Sequence, residues 1–209
     1  MKNKKGILIA FEGPEGSGKS TQVKLSYERL LERGIPAILT KEPDGAIREV
    51  LLSKDFDVFT ESLLFIANRN ENFLGKIIPA LKNGEVAITD RCSASTAAYQ
   101  FYGGGISKDI RDLILRLDAL ARHNCEIDIN VLLDCPIELG FKRIKSSREK
   151  LTVFEKKGID FHERVRKGYL QQAKDDPEHW KIFDGEKSIE ELREEIWDFL
   201  KRKFNLEKK

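Results

Sequence analysis

Residues Gly13-Pro14-Glu15-Gly16-Ser17-Gly18-Lys19-Ser20, with Thr21 behind them, have the types and spacing to grip a chain of phosphates. The glycines let backbone N–H groups turn inward around phosphate oxygens, and a helix N-terminus adds partial positive charge. Lys19 can reach the outer phosphates and the Ser20 hydroxyl can sit on Mg²⁺. With no triphosphate bound, Lys19 is expected to face solvent. The context fits the motif. An apolar run, Ile7-Leu8-Ile9-Ala10-Phe11, precedes the loop and a helical pattern starts at Lys19. The alternative is a glycine-rich turn with no ligand. A complete motif in its required setting favours a nucleoside triphosphate site, and leaves open where the phosphoryl group goes.

Other residues bear on that question. Asp90, at the end of an apolar strand in Thr89-Asp90-Arg91, is placed to hold Mg²⁺ directly or through water. Arg91 offers a planar fork to a phosphate. An ordinary strand-ending ion pair is the competing reading. Phe65 and Arg69 lie four apart, on one helical face, where a ring and a cation can stack and bond a base. From spacing alone, a core Phe beside a surface Arg explains them better. Arg48, in a short helical stretch over residues 45–52, can reach a phosphate but is one of many arginines. The stretch Ser95-Thr96-Ala97-Ala98-Tyr99-Gln100 suits base and sugar contacts, and equally a helix cap and core packing. The basic segment 145–158 is only weakly periodic. It reads as a solvated loop or as a lid over the phosphates.

The elements that must position these groups alternate. Strands are expected at Gly6–Glu12, Ile35–Thr40, Val86–Thr89, Ile127–Asp134 and Trp180–Asp184. Helices are expected at Lys19–Arg33, Glu61–Lys82, Ser93–Tyr99, Ser107–Ala121, Ile137–Ile144, Asp160–Lys174 and Ile189–Lys203. That alternation gives an α/β fold, a parallel five-stranded sheet flanked by helices, with ligands at the strands' carboxyl ends. A chain of 209 residues, 40% hydrophobic, suits a single domain over 1–209 with a short basic lid at about 145–158. A net charge of +2 gives no global signal for nucleic acid or membrane. Cys92, Cys125 and Cys135 lack metal-ligand spacing and read as free, mostly buried thiols in a reducing cytoplasmic setting. Lys2, Lys4 and Lys5 precede an apolar run that ends at Glu12 and enters the loop, so no cleavable leader is expected.

Taken in order, these pieces resemble the thymidylate kinase family. The resemblance rests on Phe11 to Thr21; on Lys41-Glu42-Pro43; on Leu63-Leu64-Phe65-Ile66-Ala67-Asn68-Arg69; on Asp90-Arg91 with Ser95 and Ala98-Tyr99-Gln100; and on Phe161-His162 with Val165 to Leu170. It implies ATP + dTMP → ADP + dTDP with Mg²⁺, in a nucleoside monophosphate kinase fold. Phe65 then stacks on thymine and Arg69 bonds a pyrimidine oxygen, Arg48 and Arg91 hold the dTMP phosphate, and Thr96 and Gln100 lie near the base. Tyr99 lies under the deoxyribose and Glu15 faces its 3′-hydroxyl. Arg143 lies on the adenine, with Asp184-Gly185-Glu186 at its rim. The family is usually homodimeric.

The chain departs from the family where Lys41-Glu42-Pro43-Asp44-Gly45-Ala46 shortens the loop after the second strand, where Cys92 replaces an aromatic, and where the lid reads Leu151-Thr152-Val153-Phe154-Glu155. Gly16 stands where one branch carries a catalytic arginine. In the other branch a basic lid residue does that work; Arg148 is the first choice here, with Lys145 and Lys150 as alternatives. Two rivals remain. A deoxynucleoside kinase needs a base for a neutral hydroxyl, usually in a Glu-x-Trp element, and Glu42 is followed by Pro43-Asp44. A non-catalytic nucleotide-binding module of GTPase type would carry an Asn-Lys-x-Asp motif, and none occurs.

Overall fold

The computed structural model describes residues 6–147 and 151–206 of the 209. The strands β1 (Ile7–Glu12), β2 (Ala37–Lys41), β3 (Val86–Asp90), β4 (Ile129–Asp134) and β5 (Trp180–Asp184) form one parallel sheet in the order β2-β3-β1-β4-β5. All five expected strands are present, with ends shifted by a residue or two. Both faces of β1 are covered, which is why it reads as an unbroken apolar run. Ile9 and Phe11 face α1 (Lys19–Glu32) and α9 (Ile189–Phe204), where Leu30, Leu192, Ile196 and Leu200 close the core. Leu8 and Ala10 face the other way, toward Phe73 and Ile77. A capping box at Ser188 and Glu191 starts α9.

The remaining helices are α2 (Gly45–Ser53), α3 (Val58–Asn72), α4 (Ile78–Lys82), α5 (Ser93–Thr96), α6 (Lys108–Ala121), α7 (Ile137–Ser147) and α8 (Ile159–Asp175). The long helix expected over 61–82 is α3 and α4 joined by a π-helical turn, Phe73–Ile77. Pro79, which has no N–H to give, falls just after that turn. A second π-helical stretch, Ala97–Gly103, extends α5. Lys145 belongs to the last turn of α7 rather than to a loop. Arg148 and Lys150 lie outside the described residues.

One backbone approach fixes the phosphate loop against α7. Gly16 has φ +71°, and a Cβ there would collide with the Gly140 carbonyl. A Cβ on Gly140 would collide in turn with the Glu15 carbonyl. Backbone on both sides leaves no flexible group to give way. Gly140→Ala is therefore expected to push the loop off its seat. The cost is ~1–3 kcal/mol of stability, with a rise in the KM for the triphosphate larger than any change in kcat. Urea denaturation and steady-state kinetics check this; unchanged values in both would show that the loop does not depend on this contact.

Candidate active site

The carboxyl ends of β1, β2 and β3 bring Glu12, Glu42 and Asp90 to one edge of the sheet. Two cavities open there. One of ≈ 390 Å³ is lined in part by Lys41, Arg48, Phe65, Arg91, Thr96, Tyr99 and Gln100. The other, of ≈ 660 Å³, runs along the phosphate loop from Glu15 to Gln22 and out to Arg143 and Gly185-Glu186. They share Glu15, Lys19, Ser20 and Glu155. Two ligands placed in them meet at those residues.

The shared region is built for charge. Gly18, with φ +84°, caps α1 and turns the loop into the helix. Ser17 is buried in the loop, and its hydroxyl has no hydrogen-bonding partner among the described residues. A buried polar atom of this kind calls for a ligand atom. Lys19 corrects the expectation made from sequence. It is 6% exposed rather than solvent-facing, with Nζ 3.6 Å from Asp90 Oδ1. Burial, and then Arg91, lower its pKa, while Asp90, Glu15 and Glu12 oppose them. Ser20 Oγ donates to Asp90 Oδ2 at 2.6 Å, so the hydroxyl and the carboxylate are already together. Among the described residues no group of three or more His, Cys, Asp or Glu gathers to hold a metal. A cation held by this pair would keep waters and phosphate oxygens in its shell, which is the habit of Mg²⁺.

Arg91 is the hub. Its backbone lies in the left-handed region, φ +74°, a strained position for a side chain of this size. Nη1 donates to the Gly13 carbonyl, Ser95 Oγ and Tyr169 Oη at 2.9–3.1 Å, and Nη2 to Glu15 Oε1 at 3.0 Å and Tyr99 Oη at 3.1 Å. Burial would raise the Glu15 pKa, but Arg91, Lys19 and the 2.8 Å hydrogen bond from Tyr99 prevail and hold it down at about 2. Glu12, one strand residue below, is wholly buried. It accepts from Cys92 N at 2.8 Å and Ser95 Oγ at 2.6 Å.

Phe65 lines the smaller cavity, with the Phe154 ring 6.0 Å away, centroid to centroid. Arg48 reaches the cavity despite the shortened loop before it, donating to the Pro43 carbonyl at 3.4 Å. Arg69 does not line the cavity. It is 1% exposed, bonded by Nε to Glu42 at 2.9 Å, by Nη1 to Asp118 at 2.5 Å and by Nη2 to Thr96 at 3.1 Å. In the larger cavity Arg143 Nη1 donates to the Gly185 carbonyl at 2.8 Å.

No local pattern singles out Asp118 or Glu61. Asp118 looks like one more polar position on an amphipathic helix. Phe154 and Glu155 sit in a charged stretch, yet they are buried and line the smaller cavity, so this part of the basic segment is not a solvated loop. The one available signal was an aromatic within a charged run.

The thymidylate kinase family model matches residues 11–196. The chain is 37% identical over 206 residues to a thymidylate kinase of Clostridium novyi, covering 94% of this chain and 99% of that one. It is 40% identical over 203 residues to one of Carboxydothermus hydrogenoformans, covering 94% and 97%. A crystal structure of thymidylate kinase from Ehrlichia chaffeensis superposes with a TM-score of 0.76 at 32% identity, over 94% of this chain and 98% of that one.

Burial lifts the Glu12 pKa from 4.5 to about 7, against the opposing effects of Ser95, Arg91, Cys92 N–H and Lys19. The folded protein then holds this proton to a higher pH than the unfolded chain does. Stability should fall as pH rises through that window, by about 3 kcal/mol from this group. Glu12→Gln should flatten the fall while keeping the hydrogen bonds' geometry. Urea denaturation of both proteins across pH 4.5–7 checks it; parallel curves would mean that Glu12 folds already ionised.

Proposed function

Because the chain belongs to the thymidylate kinase family, we propose that it transfers the γ-phosphoryl group of ATP to dTMP, giving ADP and dTDP. The observation that carries this reading is the meeting of two cavities at Lys19 and Ser20, one along a phosphate loop and one floored by a ring, a tyrosine and two arginines. ATP occupies the larger, its adenine beside Arg143 and its phosphates over Gly13, Pro14, Glu15, Gly16, Ser17, Gly18, Lys19, Ser20 and Thr21. dTMP occupies the smaller, its base against Phe65, its sugar over Tyr99, its phosphate toward Arg48 and Arg91.

The acceptor phosphate is already an anionic nucleophile, so no general base is needed. The residues position two anions and absorb charge. In this state Glu15 is the anion that Arg91 holds. An incoming phosphate competes for the same fork and releases Glu15 toward the sugar 3′-hydroxyl. Ser20 and Asp90 would hold Mg²⁺, which when bound neutralises charge on the triphosphate oxygens. Thr96 and Gln100 line the base end. Arg69, locked beneath the cavity by Glu42 and Asp118, presents Thr96 to the base and holds the floor rigid. The catalytic cation of the lid is assigned to Arg148, with Lys145 and Lys150 as its alternatives.

A cytoplasmic homodimer fits the rest. No helix among the described residues is long and apolar enough to cross a membrane. The cysteines are free. Leu113 and Leu120 of α6, seven residues apart on one helical face, are 47% and 64% exposed, an apolar surface that a second copy would cover.

An acceptor panel with ATP and Mg²⁺ tests the reaction. dTMP should turn over fastest and dUMP more slowly, because a missing methyl is worth only ~1–3 kcal/mol. Purine monophosphates should stay near background; GMP or AMP overtaking dTMP would overturn the assignment. Lys19→Ala should lose on the order of 10²-fold or more in kcat. Arg148→Ala should lose up to roughly 10³-fold or more, with little change in the KM for dTMP, since that contact exists only in the reacting state. Normal kcat in the Arg148, Lys145 and Lys150 alanine variants alike would leave the lid without a catalytic role.

A further inference from the structure

Gln100 is 1% exposed and lines the acceptor cavity. Its amide has two unlike edges, a nitrogen that only donates and an oxygen that only accepts. The nitrogen donates to Glu61 Oε2 at 3.3 Å. The oxygen is buried and has no hydrogen-bonding partner among the described residues. Glu61 is itself 2% exposed, and its other oxygen accepts from Lys157 Nζ at 3.0 Å. A carboxylate paired with an ammonium group has no proton to offer. Turning the Gln100 amide over would set its oxygen against a carboxylate oxygen, two buried acceptors face to face. The carboxylate therefore dictates which edge of Gln100 is left for a ligand, and that edge is the acceptor.

We propose that Glu61, acting through Gln100, selects acceptor pyrimidines that carry a proton on N3. Thymine and uracil present an N3–H donor to Gln100 Oε1. Cytosine presents a lone pair there, which Gln100 can meet only by reversing its amide against Glu61. Glu61 is thus a positioning residue that never touches the substrate. Lys157 balances its charge from the segment between α7 and α8, and stands over the Phe154 ring at 5.0 Å. The assignment rests on dTMP lying in this cavity with its base toward Gln100.

The test compares dTMP with 5-methyl-dCMP, which keeps the methyl group and the sugar phosphate and changes the base edge. The ratio of kcat/KM for the two is measured in the wild type, Glu61→Gln, Gln100→Met and the Glu61→Gln/Gln100→Met double variant. Glu61→Gln can offer either edge to Gln100, so the preference for dTMP should fall ~10–100-fold, in part through a lower KM for 5-methyl-dCMP. Merely structural damage would weaken both substrates alike. Gln100→Met should lose the preference by itself, and Glu61→Gln added to it should change the ratio less than about twofold. A preserved ratio in Glu61→Gln beside a lost one in Gln100→Met overturns the role of Glu61. A preserved ratio in Gln100→Met overturns the placement of the base at Gln100. If Glu61→Gln fails to fold, Glu61→Gln/Lys157→Met removes both charges together and yields the same comparison.

Discussion

The half of the molecule around the smaller cavity depends on one buried guanidinium. Arg69 carries its charge into the interior and meets Glu42 from the end of β2, Asp118 from α6 and Thr96 from α5. Arg122 adds a second cation against Asp118 at 2.9 Å, so two cations face two carboxylates. Such a cluster is not chosen for stability, since desolvation offsets most of the attraction. What it supplies is geometry. A planar fork satisfied on three sides admits one arrangement of the elements that carry the acids. Loss of any one partner would strand a charge where water cannot reach it. Phe65 lies one helical turn from Arg69, and Tyr99 and Gln100 follow Thr96 within a turn. The walls of the cavity therefore inherit their placement from an ion cluster below its floor.

The half around the larger cavity is organised differently. Its anchor is backbone on backbone, the phosphate loop pressed on Gly140, and its polar side chains stay ready for a ligand. The hydroxyl of Ser17 has no protein partner, and Ser20 and Asp90 bond mainly to each other. Between the halves, Arg91 is saturated by protein while Glu15 takes the position of an anion beside it. That pair balances a strongly basic centre within the fold. It also keeps Glu15 ionised throughout the physiological range, through the nearby positive charge of Arg91 and Lys19.

Legibility in the sequence followed the range of the interaction. The phosphate loop, the strand that feeds it and the acid that ends β3 are local patterns, and all are readable. The parallel sheet follows from helices connecting its strands, whereas the strand order, with β1 between β3 and β4, is set by long-range pairing that no local pattern reports. Arg69 and Phe65 could be paired by helical spacing, but spacing could not say that the ring faces the cavity and the guanidinium lies beneath it. The partners Glu42 and Asp118 stand 27 and 49 residues from Arg69 along the chain, and no periodicity reports such a meeting. Lys19 lies deeper than its local pattern predicts for the same reason. A lysine at a helix start is usually solvated, and only the distant Asp90 and the loop around it enclose this one. Phe154 and Glu155 were masked by the charged residues beside them.

Gly16 explains why the transfer step needs help from outside the loop. Three equatorial oxygens of the phosphoryl group in flight carry charge, and one lysine with one divalent ion leaves part of it unmet. A cation at position 16 would be the shortest route. That position is closed in this chain. Its φ of +71° disfavours any side chain, and a Cβ there would run into the Gly140 backbone, which has no slack of its own because Glu15 presses on it from the other side. An arginine could enter only if α7 moved away from the loop, and α7 also carries Arg143 to the far end of the larger cavity, where it donates to the Gly185 carbonyl. The same close packing that seats the loop therefore works against an arginine at position 16, and leaves any further cation to be supplied from outside the loop.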